Sequence, residues 1–138
     1  MPVIDASVYV ALINAQEPEH EASLAWYRRT IEERTAITAP NIILAEVAAA
    51  LSRGLGDASL AIQAVEQLQR SKIITLRPIL HPLAELAADI AAQHRIRGCD
   101  ALYVALARQT GDDLVTLDQQ QLARGGAVVR TYPPGQLT

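Results

Sequence analysis

Four carboxylic acids lie alone in stretches of sequence that carry no other charge. Aliphatic residues dominate these stretches, whereas most of the other acids lie on polar helix faces or in turns. Because an isolated carboxylate is costly to bury, such residues are usually paired or bound to a metal ion. We therefore take the four as candidate site residues: Asp5 (within 1–13), Glu46 (within 35–52), Asp100 (within 98–107) and Asp118 (directly after 114–117).

The type of these side chains indicates which ligand they would hold. Carboxylates without nearby cysteine ligands suit a hard cation such as Mg²⁺ or Mn²⁺. One or two such ions can lower the pKa of a bound water and stabilise both oxygens of an in-line phosphodiester displacement. No glycine-rich phosphate loop occurs. Three histidines, His20, His81 and His94, follow no ligand spacing, and we expect them at the surface or at helix ends.

Each acid also has an ordinary structural interpretation. Asp5 and Asp100 can cap the helices that we predict beside them, and Asp118 can open a turn after a strand. Glu46 caps nothing, because its neighbours three and four positions away are all apolar, although it can pair with a buried arginine. Such a helix, apolar all round, is expected to be buried. Taken together, and with two of the acids at predicted strand ends, the four favour a shared site.

The elements that would position these acids alternate along the chain. Short apolar segments predict strands and amphipathic or apolar segments predict helices, which indicates an α/β sandwich with a mainly parallel sheet. Ligands of such sheets gather at the carboxyl ends of the strands, where Asp5 and Asp118 are expected. Predicted strands are 3–4, 36–38, 73–76, 114–117 and 127–130; predicted helices are 7–15, 18–34, 40–53 (with Pro40 in the first turn), 58–70, 81–94, 100–109 and a short one after Asp118.

Composition limits the class of protein. The 138 residues predict one domain, 1–138, with a net charge of −3, which is unlike a basic protein that coats nucleic acid. Eleven of the twelve basic residues are arginine, which suits local phosphate or carboxylate contacts. The single cysteine, Cys99, cannot form an internal disulfide. With no basic leader and no apolar run of about 20 residues, we expect a cytoplasmic protein without membrane contact.

Four segments in register resemble the PIN domain family, and within it the single-domain VapC-type toxins of prokaryotic toxin–antitoxin pairs. They are Val3-Ile4-Asp5-Ala6-Ser7, Ala39-Pro40 with Leu44-Ala45-Glu46-Val47, the run from Gly98 to Ala107 around Asp100, and Leu114-Val115-Thr116-Leu117-Asp118. The resemblance implies a three-layer α/β/α sandwich and Mg²⁺- or Mn²⁺-dependent endoribonuclease activity on RNA. It also implies a homodimer and a cognate antitoxin, which we expect to place an arginine or lysine in the acidic pocket.

The resemblance also implies a role for each site residue. Asp5 and Asp100 would be the principal metal ligands. Glu46 would bind metal directly or through water and help to position the attacking water, and Asp118 would complete the pocket. Ser7 and Thr116 match hydroxyl positions that hydrogen-bond ligand carboxylates. Where some members of the family have a further acid after the fourth one, this chain has Gln119, Gln120 and Gln121, so one or two metal ions both stay possible.

Other functions fit the sequence less well. A response-regulator receiver needs paired acids near the first strand and a late lysine, whereas Asp5 is alone and Lys72 is the only lysine. A haloacid-dehalogenase-like phosphatase needs a second aspartate two residues after the first, where Ser7 stands. The remaining alternative is a degenerate PIN-like scaffold that binds RNA or protein without cutting. Retention of all four acids favours the enzyme.

Overall fold

Five short parallel strands form the centre of the molecule in the computed structural model, which describes residues 1–136. They lie in the order β3-β2-β1-β4-β5, so the first strand is in the middle. Every pairing is parallel, as the alternation of strands and helices predicts. The strands are β1 (Val3–Ile4), β2 (Ile37–Pro40), β3 (Ile74–Arg77), β4 (Leu114–Val115) and β5 (Thr131–Tyr132).

Helices cover both faces of the sheet and give the three-layer α/β/α sandwich. One of them, α6, packs across β1, β2 and β4 and carries α5 on its outer side, while α1 packs against α2 and α3. None of the described helices is long and apolar enough to cross a membrane. The helices are α1 (Ala6–Ile13), α2 (His20–Glu32), α3 (Ile43–Leu55), α4 (Ala58–Arg70), α5 (His81–His94), α6 (Gly98–Thr110) and α7 (Gln119–Arg124).

The order of the strands creates a switch point between β1 and β4. From β1 the chain builds outward through β2 and β3, then returns to the other side of β1 for β4 and β5. At such a point successive connections leave on opposite faces, which opens a crevice at the carboxyl ends of the two strands. Asp5 directly follows β1, and Thr116 directly follows β4. The topology therefore brings two segments distant in sequence to one edge of the sheet.

Two predicted elements have boundaries that are wrong by three residues or more, and the boundaries of the other elements lie within two residues of the prediction. Pro40 ends β2 and does not lie in a helix, which begins only at Ile43. Toward β3 the ladder uses the N–H groups of Ile37 and Asn41, so a proline at position 40 removes no donor from that side. The last strand is Thr131–Tyr132 and not 127–130, because residues 131 and 132 are the ones that pair with β4, while residues 125–127 form a 3₁₀ turn.

Candidate active site

Asp5 lies at the junction of β1 and α1 and is almost fully buried, with 4% of its surface exposed. One oxygen, Oδ1, accepts the N–H of Ser7 at 3.1 Å and so caps α1. The hydroxyl of Ser7 also donates to Oδ1, and the hydroxyl of Thr116 donates to Oδ2. The capping interpretation of Asp5 is therefore correct, but it accounts for only part of what surrounds the carboxylate.

Burial changes the protonation of this carboxyl group. Removal from water raises the pKa of Asp5 from its ordinary 3.8 to about 6, and the charge of Asp100 adds to the rise. The two hydroxyl donors act in the opposite direction, since they stabilise the charged form. A cation near Asp5 would favour the carboxylate further, so the group is suited to bind one near neutral pH.

The hydroxyls of Ser7 and Thr116 also hold the chain that follows β4. The N–H of Leu117 donates to Ser7 Oγ at 3.0 Å, and the N–H of Asp118 donates to Thr116 Oγ1 at 3.0 Å. Thr116 is fully buried behind Asp5. The structure thus brings both predicted hydroxyl residues into contact with Asp5. The same two hydroxyl groups also fix the main chain at Leu117 and Asp118.

Asp118 and Asp100 are linked by a glutamine and an arginine. Asp118 caps α7, because its Oδ1 accepts the N–H groups of Gln120 at 2.8 Å and Gln121 at 3.1 Å. The buried side chain of Gln121 reaches back and donates to the main-chain oxygen of Asp100 at 3.0 Å. From the solvent side, Arg97 approaches both acids, with Nε 3.0 Å from Asp100 Oδ2 and Nη2 3.6 Å from Asp118 Oδ2.

Glu46 is only half-buried, which corrects the expectation that α3 is buried all round. The helix buries one stripe, Ile43, Val47 and Leu51, and Glu46 lies beside it at the cleft. No arginine pairs with Glu46 among the described residues; instead the hydroxyl of the buried Tyr103 donates to its Oε1. Burial, together with the adjacent Glu46 carboxylate, raises the pKa of Tyr103 far above its ordinary 10, so this hydroxyl stays a donor.

The four candidate acids line one open cleft of about 740 Å³. Ser7, Arg97 and Tyr103 face the same cleft. Glu17, Glu19 and Arg53 line the cleft as well. None of the three histidines lines it, and His20 contacts the main-chain oxygen of Ala11 at 2.7 Å. The structure therefore brings Asp5, Glu46, Asp100 and Asp118 to the lining of one cleft.

A comparison with known families decides what kind of domain this is. The model of the PIN domain family matches residues 3–126, nearly the whole chain. The chain belongs to the PIN domain family. PIN domains are generally nucleases, so the assignment supports a hydrolase. No curated protein sequence matches this chain.

Solved structures share the PIN fold at low sequence identity. The toxin VapC20 of Mycobacterium tuberculosis, described as cleaving the sarcin–ricin loop, is 21% identical over 89% of this chain and 95% of that one, with a TM-score of 0.73. FitAcB of Neisseria gonorrhoeae is 23% identical over 99% and 100%, with a TM-score of 0.72. A toxin–antitoxin complex from Klebsiella pneumoniae is 14% identical over 99% and 100%, with a TM-score of 0.66. At these identities the similarity shows the fold.

PIN nucleases generally use divalent metals, and the chemistry of this cleft fits one. Within residues 1–136, no three histidine, cysteine or carboxylate side chains are grouped so that they would hold a metal ion as they stand. The Oδ2 atoms of Asp100 and Asp118 nevertheless converge on one cation, the guanidinium of Arg97. The guanidinium marks a place where a positive charge is stabilised, and the surrounding donors are oxygens, which Mg²⁺ and Mn²⁺ prefer.

Arg97 and Tyr103 are absent from the site predicted from the sequence. Each lies three residues from Asp100, on opposite sides, a spacing that places side chains on one face of a helix. Helical spacing around a candidate acid was thus the signal available for both. Which acid each one contacts depends on how α3, α6 and the segment after β4 pack together, and no local pattern encodes that.

Proposed function

We propose that this PIN domain is a Mg²⁺- or Mn²⁺-dependent endoribonuclease, the toxin of a toxin–antitoxin pair. The observation that supports the proposal most strongly is the meeting of Asp5, Glu46, Asp100 and Asp118 at the switch point of the sheet. Four acids around one cleft repel each other and are stabilised together by a bound cation. A family of nucleases that generally use divalent metals supplies the matching chemistry.

In the proposed reaction, each side chain has a role that its contacts support. Asp5 and Asp100 would hold the metal and Asp118 would complete the pocket, while the hydroxyls of Ser7 and Thr116 keep both oxygens of Asp5 oriented. A divalent cation bound there would lower the pKa of a coordinated water and stabilise the charge that develops on the phosphodiester. Glu46 positions the attacking water.

The Tyr103 hydroxyl supports this role of Glu46. It donates to Oε1 and leaves the second carboxylate oxygen free to accept from the attacking water. Burial and the carboxylate raise the pKa of Tyr103 far above its ordinary value, so this hydroxyl stays protonated and able to donate.

RNA as substrate and an antitoxin as partner belong to the same proposal. VapC20, which shares the fold, is described as cleaving the sarcin–ricin loop, and another neighbour is described as a toxin–antitoxin complex. We expect a homodimer that acts in the cytoplasm. The antitoxin should insert an arginine or lysine into the cleft, where Arg97 shows that a guanidinium is accepted. A complex with an open, metal-competent cleft would contradict this mode of inhibition.

A second function, a scaffold that binds RNA or protein without cutting, is favoured by one observation. In residues 1–136 no three potential ligands are grouped for a metal ion, and a guanidinium bridges two of the four acids. Such a scaffold would bind without a requirement for Mg²⁺. Cleavage assays separate the two functions.

The test is cleavage of a mixed pool of cellular RNA by the purified protein with Mg²⁺, with Mn²⁺ and with EDTA. Asp5→Asn and Asp100→Asn remove charge at nearly constant volume and should each lower metal-dependent cleavage more than about a hundredfold. Asp89→Asn is the matched control, because Asp89 is exposed on α5 outside the cleft, and it should cleave like wild type. Full activity in Asp5→Asn or Asp100→Asn would overturn the assignment; no cleavage by wild type of any RNA would favour the scaffold.

A further inference from the structure

The guanidinium of Arg97 is held in the cleft by charge. The residue directly precedes α6, and its side chain is 72% exposed, so packing does little to hold it. Its contacts run to the two acids on the outer side of the cleft, at 3.0 Å to Asp100 and 3.6 Å to Asp118. These acids come from different elements, α6 and the start of α7. Arg97 is therefore the bridge between them.

The oxygens that Arg97 uses are those that a metal ion would need. Both contacts involve the Oδ2 atoms, which converge from two sides on the same positive charge. A carboxylate oxygen bound closely to a divalent cation has little capacity left for a guanidinium, and two adjacent cations repel each other. Arg97 and a divalent cation thus compete for the same part of the cleft.

We propose that Arg97 is a built-in counter-ion of the cleft, which a divalent cation must displace from Asp100 and Asp118 in order to bind. The inference rests on the proposed metal dependence and adds a residue that sets the metal affinity. In the metal-free protein Arg97 offsets part of the repulsion among the acids. Only the molecules in which the guanidinium has moved away bind the cation, so the apparent affinity is reduced by that fraction.

Calorimetric titration with Mn²⁺ alone tests this directly. Arg97→Gln should bind Mn²⁺ about tenfold more tightly than wild type at low ionic strength, the effect expected for removing one positive charge about 6 Å from a divalent ion in water. The gain should shrink as salt is added. Arg108→Gln is the matched control: it removes the same charge from an exposed position of α6, about 16 Å farther along the helix axis, and should leave the Mn²⁺ affinity unchanged.

Two further measurements separate a counter-ion from a merely structural residue. Arg97→Lys keeps the charge and should bring the Mn²⁺ affinity back to within about threefold of wild type, because a compact ammonium still neutralises the acids. In EDTA, Arg97→Gln should melt slightly below wild type, by no more than about 3 °C. Its Mn²⁺-induced rise in melting temperature should exceed that of wild type, whereas loss of structure would lower the melting temperature with no gain in affinity.

The outcomes also distinguish this inference from the proposed function. If wild type binds no Mn²⁺ and no Mg²⁺, the metal-dependent function itself is wrong. If wild type binds Mn²⁺ but Arg97→Gln binds it equally or more weakly, the counter-ion proposal is wrong while the metal site stands. If Arg97→Lys binds as tightly as Arg97→Gln, charge is not the cause and the proposal also fails.

Discussion

Asp5 and Asp100 face the same cleft, but the protein holds their carboxylates in different ways. Asp5 is 4% exposed and is held by two neutral hydroxyls, Ser7 and Thr116, which themselves are tied to the chain after β4. Asp100 is contacted from the solvent side by the charged guanidinium of Arg97, whose side chain is 72% exposed. We refer to Asp5, Ser7 and Thr116 as the buried side of the cleft, and to Arg97, Asp100 and Asp118 as the open side.

The difference separates two requirements of the proposed metal site. On the buried side, desolvation raises the pKa of Asp5, and fixed hydroxyls keep the geometry, so this side is built at a cost to stability. On the open side, water and the guanidinium of Arg97 offset the charge of the acids at little cost in free energy. In the counter-ion role proposed above, another cation can take the place of this guanidinium. The buried side therefore sets the position of the site, and the open side adjusts its charge.

The largest stability effect is expected from Asp5→Asn in EDTA. The pKa of Asp5 is about 6 when folded and 3.8 when unfolded, so the folded protein binds the proton more tightly between these values. The resulting stabilisation is present below about pH 4 and is lost as the pH rises through 6; it amounts to about 3 kcal/mol. Asparagine cannot titrate and caps helices equally well. At pH 7 the variant should therefore be more stable than wild type by up to about 3 kcal/mol.

Urea unfolding at pH 4, 5, 6 and 7 measures the free energy of unfolding of wild type and Asp5→Asn, and the difference between the two should grow as the pH rises. Asp100→Asn provides the comparison from the open side and should differ from wild type by less than about 1 kcal/mol at pH 7, because the loss of a weak ion pair with the exposed Arg97 is offset by the relief of repulsion among the acids. A difference between Asp5→Asn and wild type that does not change with pH would show that the two sides are not distinct.

A smaller effect is expected from Thr116→Val, which tests the hydroxyl alone. It leaves one oxygen of Asp5 and the N–H of Asp118 without a partner, which should cost about 1–3 kcal/mol of unfolding free energy. Mn²⁺ affinity should fall about 10–100-fold. Thr38→Val is the matched control, because Thr38 is equally buried on β2 and its hydroxyl has no partner within the described residues. Equal losses in both variants would mean that Thr116 acts only through packing.

The positions of the four acids could be predicted because the sequence itself marks them. A single acid in an aliphatic run, such as Asp5 after Val3 and Ile4, indicates a carboxylate at the end of a buried strand. The caps made by Asp5 and Asp118 are local too, since they join residues two or three apart. What the spacing could not give is the pairing across elements, as between Tyr103 and Glu46.

The error in the last strand also arises from pairing between elements, which the local sequence does not encode. Val128 and Val129 have high intrinsic strand propensity, which favours a strand at 127–130. Strand assignment, however, depends on which residues reach the edge of β4, and this is decided by tertiary pairing. The N–H of Leu114 donates to the oxygen of Arg130 at 2.9 Å, so the paired segment is Thr131–Tyr132. A 3₁₀ turn at residues 125–127 precedes this segment.

The metal dependence of stability tests the central claim most directly, and it requires no knowledge of the RNA target. At a hundredfold excess over its dissociation constant, Mn²⁺ should stabilise the wild type by about 2.7 kcal/mol, which corresponds to a rise in melting temperature of about 5–10 °C. Asp100→Asn should lose most of this rise while melting at or above the wild-type temperature in EDTA, because one repelling charge is gone. No shift in wild type, or a sharp loss of stability of Asp100→Asn in EDTA, would show that the acids stabilise the fold and do not form a metal site.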